Sequence, residues 1–225
     1  SLAINSKNPT PYYIVNADSI QLYQELDIGS AKPTPEEQSL VPHLLFDQVK
    51  PLDEVTAGKY EKWFFATLAQ LPPESLVFVV GGTGFYFQAL EKGMFEIGAS
   101  NEQVKAQVEL ELKQVGGPER LFAELKSMDP QTAEKISMND HYRLGRFVEI
   151  IRSHGMSVSQ LQENLKLKQR PFPYPLLKLG IWMERDQLEP IVKVRTEKML
   201  QAGWLTEVKN IIQKFPQALT AEGVW

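Results

Sequence analysis

The chain has 225 residues, no cysteine, three histidines and a formal net charge of −4. That length can bury one sizeable core and a second small one, while the lack of thiols excludes a disulfide framework and a thiolate metal site. With no run of about 20 apolar residues and no charged-then-apolar leader, a cytoplasmic protein is expected, and no oligomer signal argues against a monomer.

In chain order, Ser1-Leu2-Ala3-Ile4 reads as a helix already under way, with no capping residue before it. Tyr12-Tyr13-Ile14-Val15 is a short apolar run ending in Asn16-Ala17-Asp18-Ser19, the pattern of a buried strand entering a polar loop. Thr56 to Leu71 predicts a helix, with Tyr60, Phe64 and Leu68 at four-residue spacing. Leu76-Val77-Phe78-Val79-Val80 predicts a second strand, which ends in Gly81-Gly82-Thr83-Gly84.

From Ser100 to about Lys168 this alternation stops. Ser100 caps a helix carrying Val104, Val108, Leu112 and Val115, and Gly116-Gly117-Pro118 ends it and starts another. Asp129-Pro130 opens a short third helix. Asn139 precedes a longer one striped by Leu144, Phe147, Val148 and Ile151, with Gly155 as its stop. Beyond it, Leu177 to Met183 predicts a third strand, followed by a helix from Gln187. Asp186 and Glu189 give that helix a capping-box start, and Gly203 marks its end.

Two-sided apolar strands alternating with helices predict an α/β fold with a parallel sheet core flanked by helices. Residues 1–98 and 176–225 are assigned to that core, and 99–175 to an all-helical insertion. The final Ala221-Glu222-Gly223-Val224-Trp225 stops on apolar residues, so both ends read as cut.

Ligands of open α/β sheets bind beyond the carboxyl ends of the strands, and Asp18 sits just past such an end. A carboxylate there serves as a general base, a metal ligand or a cap for the next helix. Gly81 to Gly84 reaches the same edge. Its glycines permit close backbone approach and Thr83 offers a hydroxyl, unless the segment is only a tight turn.

Leu188, Ile191, Arg195 and Met199 follow at helical spacing, which puts Arg195 on an apolar stripe facing the protein. A buried guanidinium requires an anion, either a structural carboxylate or a phosphate-bearing ligand. Arg143 and Arg146 lie three apart and either reach one RNA backbone together or form a solvated face. His43 reads as a satisfied buried histidine. Charge is uneven: residues 1–140 carry 11 basic against 20 acidic side chains, and 141–214 carry 13 against 7. A basic back half suits phosphates and equally suits a solvated helical face.

Several segments together resemble one family. Ala17 to Tyr23, then Asp27-Ile28-Gly29-Ser30-Ala31-Lys32-Pro33, are similar to the "ADSxQxYxxxDIGTAKP" signature of tRNA dimethylallyltransferases. Val41-Pro42-His43-Leu44-Leu45-Phe46-Asp47 resembles "VPHHLID", and Gly81 to Tyr86 resembles "GGTGLY". Asn139-Asp140, Arg143, Arg146 and Glu149-Ile150 resemble "HPNDxxRxxRALEV", and Arg195 with Met199 to Gly203 resembles "RxxxMLxxG". Ser30, Leu44 and Ser137-Met138 depart mildly from these patterns. Family members open with a strand and a "GxTxxGKT" loop, and Ser1 aligns with the residue after its final threonine. A "GYKE" region and C-terminal helices are likewise expected beyond Trp225.

The resemblance implies a P-loop-NTPase-like core that transfers a dimethylallyl group from dimethylallyl diphosphate to N6 of an adenosine beside the tRNA anticodon. It implies Asp18 as the base, Thr83 as a residue holding the reacting groups, and Arg195 as the diphosphate-binding arginine. Asp18, Ser19, Ile20 and Gln21 match positions near the flipped base. Tyr142, Arg143 and Arg146 match positions that hold the anticodon stem. The phosphate loop would add backbone N–H groups, a lysine and a hydroxyl for Mg²⁺. Three other readings stand beside this one: an adenylate isopentenyltransferase acting on free AMP or ATP, a non-catalytic tRNA-binding remnant, and a nucleotide kinase-like phosphotransferase, which fits the core but not the DSxQxY run.

Overall fold

In a computed structural model, which describes residues 10–93, 101–166 and 172–219, the chain divides into two compact units. One comprises the residues up to Lys92 and those from Phe172 on; the other runs from Gly93 to Pro171.

The first unit is built on a parallel three-stranded sheet of order β2-β1-β3, with β1 at Tyr12–Asn16, β2 at His43–Leu44 and β3 at Leu76–Val80. The central strand pairs Ile14 with His43 on one side and runs from Tyr12–Leu76 to Asn16–Val80 on the other. Helix α1 (Pro35–Leu40) starts with a capping box between Thr34 and Glu37. Helix α2 (Ala57–Leu68) starts at Thr56, whose side chain accepts from the Lys59 amide. It buries Tyr60 and Phe64 against the sheet, each worth about 1.5–3 kcal/mol on burial alone. Tyr60 stacks at 4.0 Å on Tyr86 of α3 (Gly84–Lys92), and its hydroxyl donates to the Asn16 carbonyl at 2.9 Å. The core therefore sits directly beneath the carboxyl end of β1.

Two-sided burial is true of β1 at Val15, but β3 leaves Leu76, Phe78 and Val80 about half exposed. The third strand expected at Leu177 to Met183 does not form. That segment is largely exposed and pairs with no strand among the described residues. Helix α9 (Arg185–Gln201) starts two residues earlier than expected. Glu184 caps it without a side-chain bond, and Asp186 lies in the first turn, accepting from the Gln187 amide. Helix α10 (Trp204–Lys214) follows Gly203, whose φ of 102° makes the corner between them.

The second unit is helical: α4 (Glu102–Leu112), α5 (Gly117–Met128), α6 (Pro130–Ala133), α7 (His141–His154) and α8 (Val158–Lys166). Its core unites Val108, Leu121, Leu125, Leu144, Val148 and Ile151. Asn101, not Ser100, caps α4, accepting from the Gln103 amide; Ser100 itself lies outside the described residues. Val115, expected on the α4 stripe, falls past the helix end and is fully exposed. Buried Asp129 joins two helices, accepting from Thr132 of α6 and from the Ser159 amide of α8. Burial pushes its carboxyl up, but these hydrogen bonds outweigh that and leave it below the ordinary value.

Among the described residues no helix is long and apolar enough to cross a membrane. The expected helix at Ser1 to Ile4 and the apolar tail from Ala221 to Trp225 lie outside them.

Candidate active site

The carboxyl end of β1 turns sharply around Asn16, which is fully buried. Its side-chain amide donates to the carbonyls of Asp18 and Leu45, both at 3.0 Å, while its oxygen accepts from the Asp18 amide at 2.9 Å. The Asn16 side chain thereby holds the backbone of Asp18 through two hydrogen bonds and ties it to Leu45 through a third. The sequence reading passed over this residue, although a polar side chain closing an apolar strand was the available signal.

Asp18 itself is half-buried. Its Oδ1 accepts from the amides of Ile20 at 2.9 Å and Gln21 at 3.4 Å, as a cap does. Its Oδ2 lies over Gly82, where an added Cβ would come within 3.8 Å, and takes no hydrogen bond from the described residues. The carboxylate is thus anchored by one oxygen and presents the other. Both readings of Asp18 as cap and as base are compatible with that geometry.

The glycine loop after β3 comes to the same place. Thr83 Oγ1 accepts from the Ser19 amide at 2.9 Å and donates to Ser19 Oγ at 3.3 Å, and the Thr83 amide donates to the Ala17 carbonyl. Gly81 is required by closeness: a Cβ there would sit 2.1 Å from the Ala17 carbonyl carbon and 2.6 Å from the Asp18 nitrogen. Gly81→Ala must push the two strand ends apart. We expect it to cost at least about 2 kcal/mol, the range for overpacking a rigid site, read as a lowered midpoint in urea unfolding. A midpoint equal to the parent's would show that the two loops do not depend on each other.

Burial pushes the Tyr86 hydroxyl up to about 12, with the charges of Tyr23 and Asp18 adding to it. Stacked under the site, it is a neutral phenol at physiological pH. His43 is satisfied but only half-buried, not buried as expected, with its Nδ1 2.8 Å from the Val41 carbonyl and its ring edge-on to Phe46.

Arg195 departs from expectation. It is exposed, and α9 buries none of its side chains among the described residues. Leu188 and Ile191 of the expected stripe are 44% and 51% exposed, so common spacing showed a shared face and not burial. No internal anion is demanded for the guanidinium. Arg195 instead lines a cavity of about 940 Å³ with Lys198, Ile28, Pro33, Ile191 and Met199. Asp18 and Thr83 are not part of its wall.

In the helical unit Tyr142 is 84% exposed at the start of α7. Arg143 pairs with Asp140 at 3.2 Å while remaining mostly exposed, and Arg146 is tied to the buried Glu149. Arg143 and Tyr142 are accordingly presented outward, and Arg146 is partly committed to its own helix. No group of three or more His, Asp or Glu among the described residues is arranged to hold a metal ion.

Known proteins share this architecture. The IPP transferase family model matches residues 21–224. The tRNA dimethylallyltransferase of Bdellovibrio bacteriovorus is 49% identical over 201 residues, which are 89% of this chain and 65% of that protein. That of Natranaerobius thermophilus is 34% identical over 215 residues, 95% of this chain and 63% of its own. This chain thus spans less than two thirds of the length of these curated relatives.

Among solved structures, a eukaryotic dimethylallyltransferase acting on tRNA shares the fold with a TM-score of 0.75 at 24% identity, over 91% of this chain and 50% of that one. The tRNA isopentenylpyrophosphate transferase of Staphylococcus epidermidis has a TM-score of 0.54 at 27% identity, over 94% of this chain and 69% of that one. With a family model matching residues 21–224 and relatives matched over most of its length, this chain belongs to the IPP transferase family.

Proposed function

We propose that the protein takes part in transferring a dimethylallyl group from dimethylallyl diphosphate to the exocyclic N6 of an adenosine beside a tRNA anticodon. The observation that supports it most is the half-anchored carboxylate of Asp18, with Oδ2 presented over the glycine loop. Adenine N6 is a weak nucleophile, since its lone pair is delocalised into the ring. As N6 forms its bond to the allylic carbon, the carbon–oxygen bond breaks and its electron pair leaves on the diphosphate. The N6 proton passes to Asp18. Thr83 and Ser19 hold the turn that aims the carboxylate. Ile20 and Gln21, whose amides fix Oδ1, flank the incoming base, which must leave its stack to reach them.

The charge released on the diphosphate is stabilised most where cations are already in place. Arg195 is assigned this role by the resemblance; the wall of its cavity also carries Lys198, and Lys32 paired with Asp27 and Asp47, among apolar side chains. Mg²⁺ belongs to the proposal as a counter-ion of the diphosphate. Tyr142, Arg143 and Arg146 are proposed to hold the anticodon stem through its phosphates.

The test is incubation of the protein with labelled dimethylallyl diphosphate, Mg²⁺ and an anticodon stem-loop, scored by label on the RNA. Label on free AMP instead would select the adenylate-modifying reading. Stem-loop binding without label transfer under the same conditions would select the non-catalytic one. With two arginine–phosphate contacts, raising salt from about 50 to about 200 mM should weaken stem-loop binding about tenfold. Affinity that ignores salt would remove Arg143 and Arg146 from the interface.

A further inference from the structure

The backbone amides of three consecutive residues, Asp27, Ile28 and Gly29, all donate to the carboxylate of Glu207 on α10. The distances are 2.9 and 2.7 Å to Oε2 and 3.0 Å to Oε1. Successive N–H groups converging on one anion form a nest, and hydrogen bonds to a charged acceptor are the stronger kind. One turn earlier on the same helix, Trp204 lies against Gly29 so closely that a Cβ there would be 2.1 Å from the indole nitrogen. Helix α10 thus grips residues 27–29 by charge and by contact.

The next two residues carry this grip toward Asp18. The carbonyls of Ser30 and Ala31 accept from the side-chain amide of Gln21 at 3.0 and 3.1 Å. The Gln21 backbone amide in turn donates to Asp18 Oδ1. The loop does not hold this shape cheaply, since Glu25 and Ala31 both adopt the left-handed backbone that side chains disfavour, with φ of 66° and 53°. On its other side Lys32 is buried and donates to Asp27, to Asp47 and to the Tyr23 carbonyl, so all three of its protons are spent.

We infer that Glu207 is a positioning residue for the proposed transfer. It holds the 27–31 loop, whose carbonyls hold Gln21 and, through it, the base Asp18. The inference rests on the functional reading above and adds to it a residue 189 positions away from Asp18 in sequence, whose carboxylate bonds to residues 27–29 and not to Asp18.

The experiment compares Glu207→Gln with Lys214→Met in the active protein. Glutamine keeps the shape but removes the charge and turns one accepting oxygen into an N–H₂ that faces the amides. Lys214→Met removes the Lys214–Glu25 ion pair, which ties the same helix to the same loop without touching the nest. Glu207→Gln is expected to lower kcat about tenfold, less than the roughly 10²-fold that a misplacement of about 1 Å can cost. KM for the stem-loop, assigned to Arg143 and Arg146 on the other unit, should stay within about twofold, and Lys214→Met should turn over as the parent does.

Amide exchange at Asp27 to Gly29 should quicken in Glu207→Gln alone. Parent-like kcat in Glu207→Gln overturns the inference, and so does an equal loss in Lys214→Met. If the parent itself transfers nothing, the functional reading has failed. The anchoring is then judged on exchange, and unchanged protection of those three amides overturns it.

Discussion

Asp18→Asn is expected to lower kcat for dimethylallyl transfer by about 10²- to 10⁴-fold, the usual contribution of a positioned base, while leaving stem-loop affinity within a few fold. The substitution is informative because of how the carboxylate is held. Oδ1 accepts from the Ile20 and Gln21 amides, and an asparagine oxygen can accept the same two bonds. Only Oδ2 changes character, from acceptor to donor, and Oδ2 is the atom that takes no bond from the described residues. The turn should survive, with a melting temperature close to the parent's. Asp18→Ala removes both oxygens and should lose the same activity with about 1 kcal/mol of stability besides. Steady-state transfer assays with thermal unfolding separate the two. Near-parental turnover by Asp18→Asn would leave Asp18 a cap and return the identity of the base to an open question.

How far the sequence disclosed this site follows from what each residue rests on. Asp18 and Thr83 were visible because an apolar run followed by a polar or glycine-rich turn marks a strand end, and strand ends in parallel sheets share an edge. The helical unit was equally visible, since Leu144, Val148 and Ile151 recur at the spacing of one helix face and are buried there. Its caps were legible to within a residue.

Other features depended on partners that no local pattern names. The stripe through Leu188, Ile191, Arg195 and Met199 is real as a face, yet burial is decided by what covers a face. The run from Leu177 to Met183 has the composition of a strand yet pairs with none among the described residues. Strand β2 is two residues long and exists only by pairing with Ile14 and Val15. Glu207 reads as an ordinary helical acid until its three backbone donors, about 180 residues earlier in the chain, are seen. Long-range polar bonding is what sequence periodicity carries least.

The same distinction between local pattern and distant partner governs the second large expected effect, the loss of the helical unit's stability in Arg152→Leu. Arg152 on α7 sends Nε and Nη2 to Glu124 of α5 at 2.8 and 2.6 Å, and Nη1 and Nη2 to Glu111 of α4, both at 2.9 Å. One guanidinium therefore binds two carboxylates in paired fashion and ties together the three main helices of the unit. At 23% exposure it is screened only in part. Replacing it with leucine leaves Glu111 and Glu124 facing each other in a partly buried seam without a cation, which should cost about 2–3 kcal/mol, somewhat below the range for fully buried pairs.

The pH dependence distinguishes this clamp from mere lost packing. Hydrogen bonds from Arg152 hold the Glu111 carboxyl below its ordinary value, against an opposing push from burial. Its contribution is therefore complete above the unfolded value of about 4.5 and lost as pH falls through the lower folded one. The parent should weaken on acidification toward pH 4. In Arg152→Leu the two carboxylates repel, a proton relieves them, and the variant should recover part of its deficit over the same interval. None of the four tryptophans lies between residues 93 and 171, so fluorescence would report the wrong unit. Amide exchange across α4, α5 and α7 reads the right one. A variant as well protected as the parent at pH 7, or one that weakens in acid just as the parent does, would show that the helices cohere through their apolar core alone.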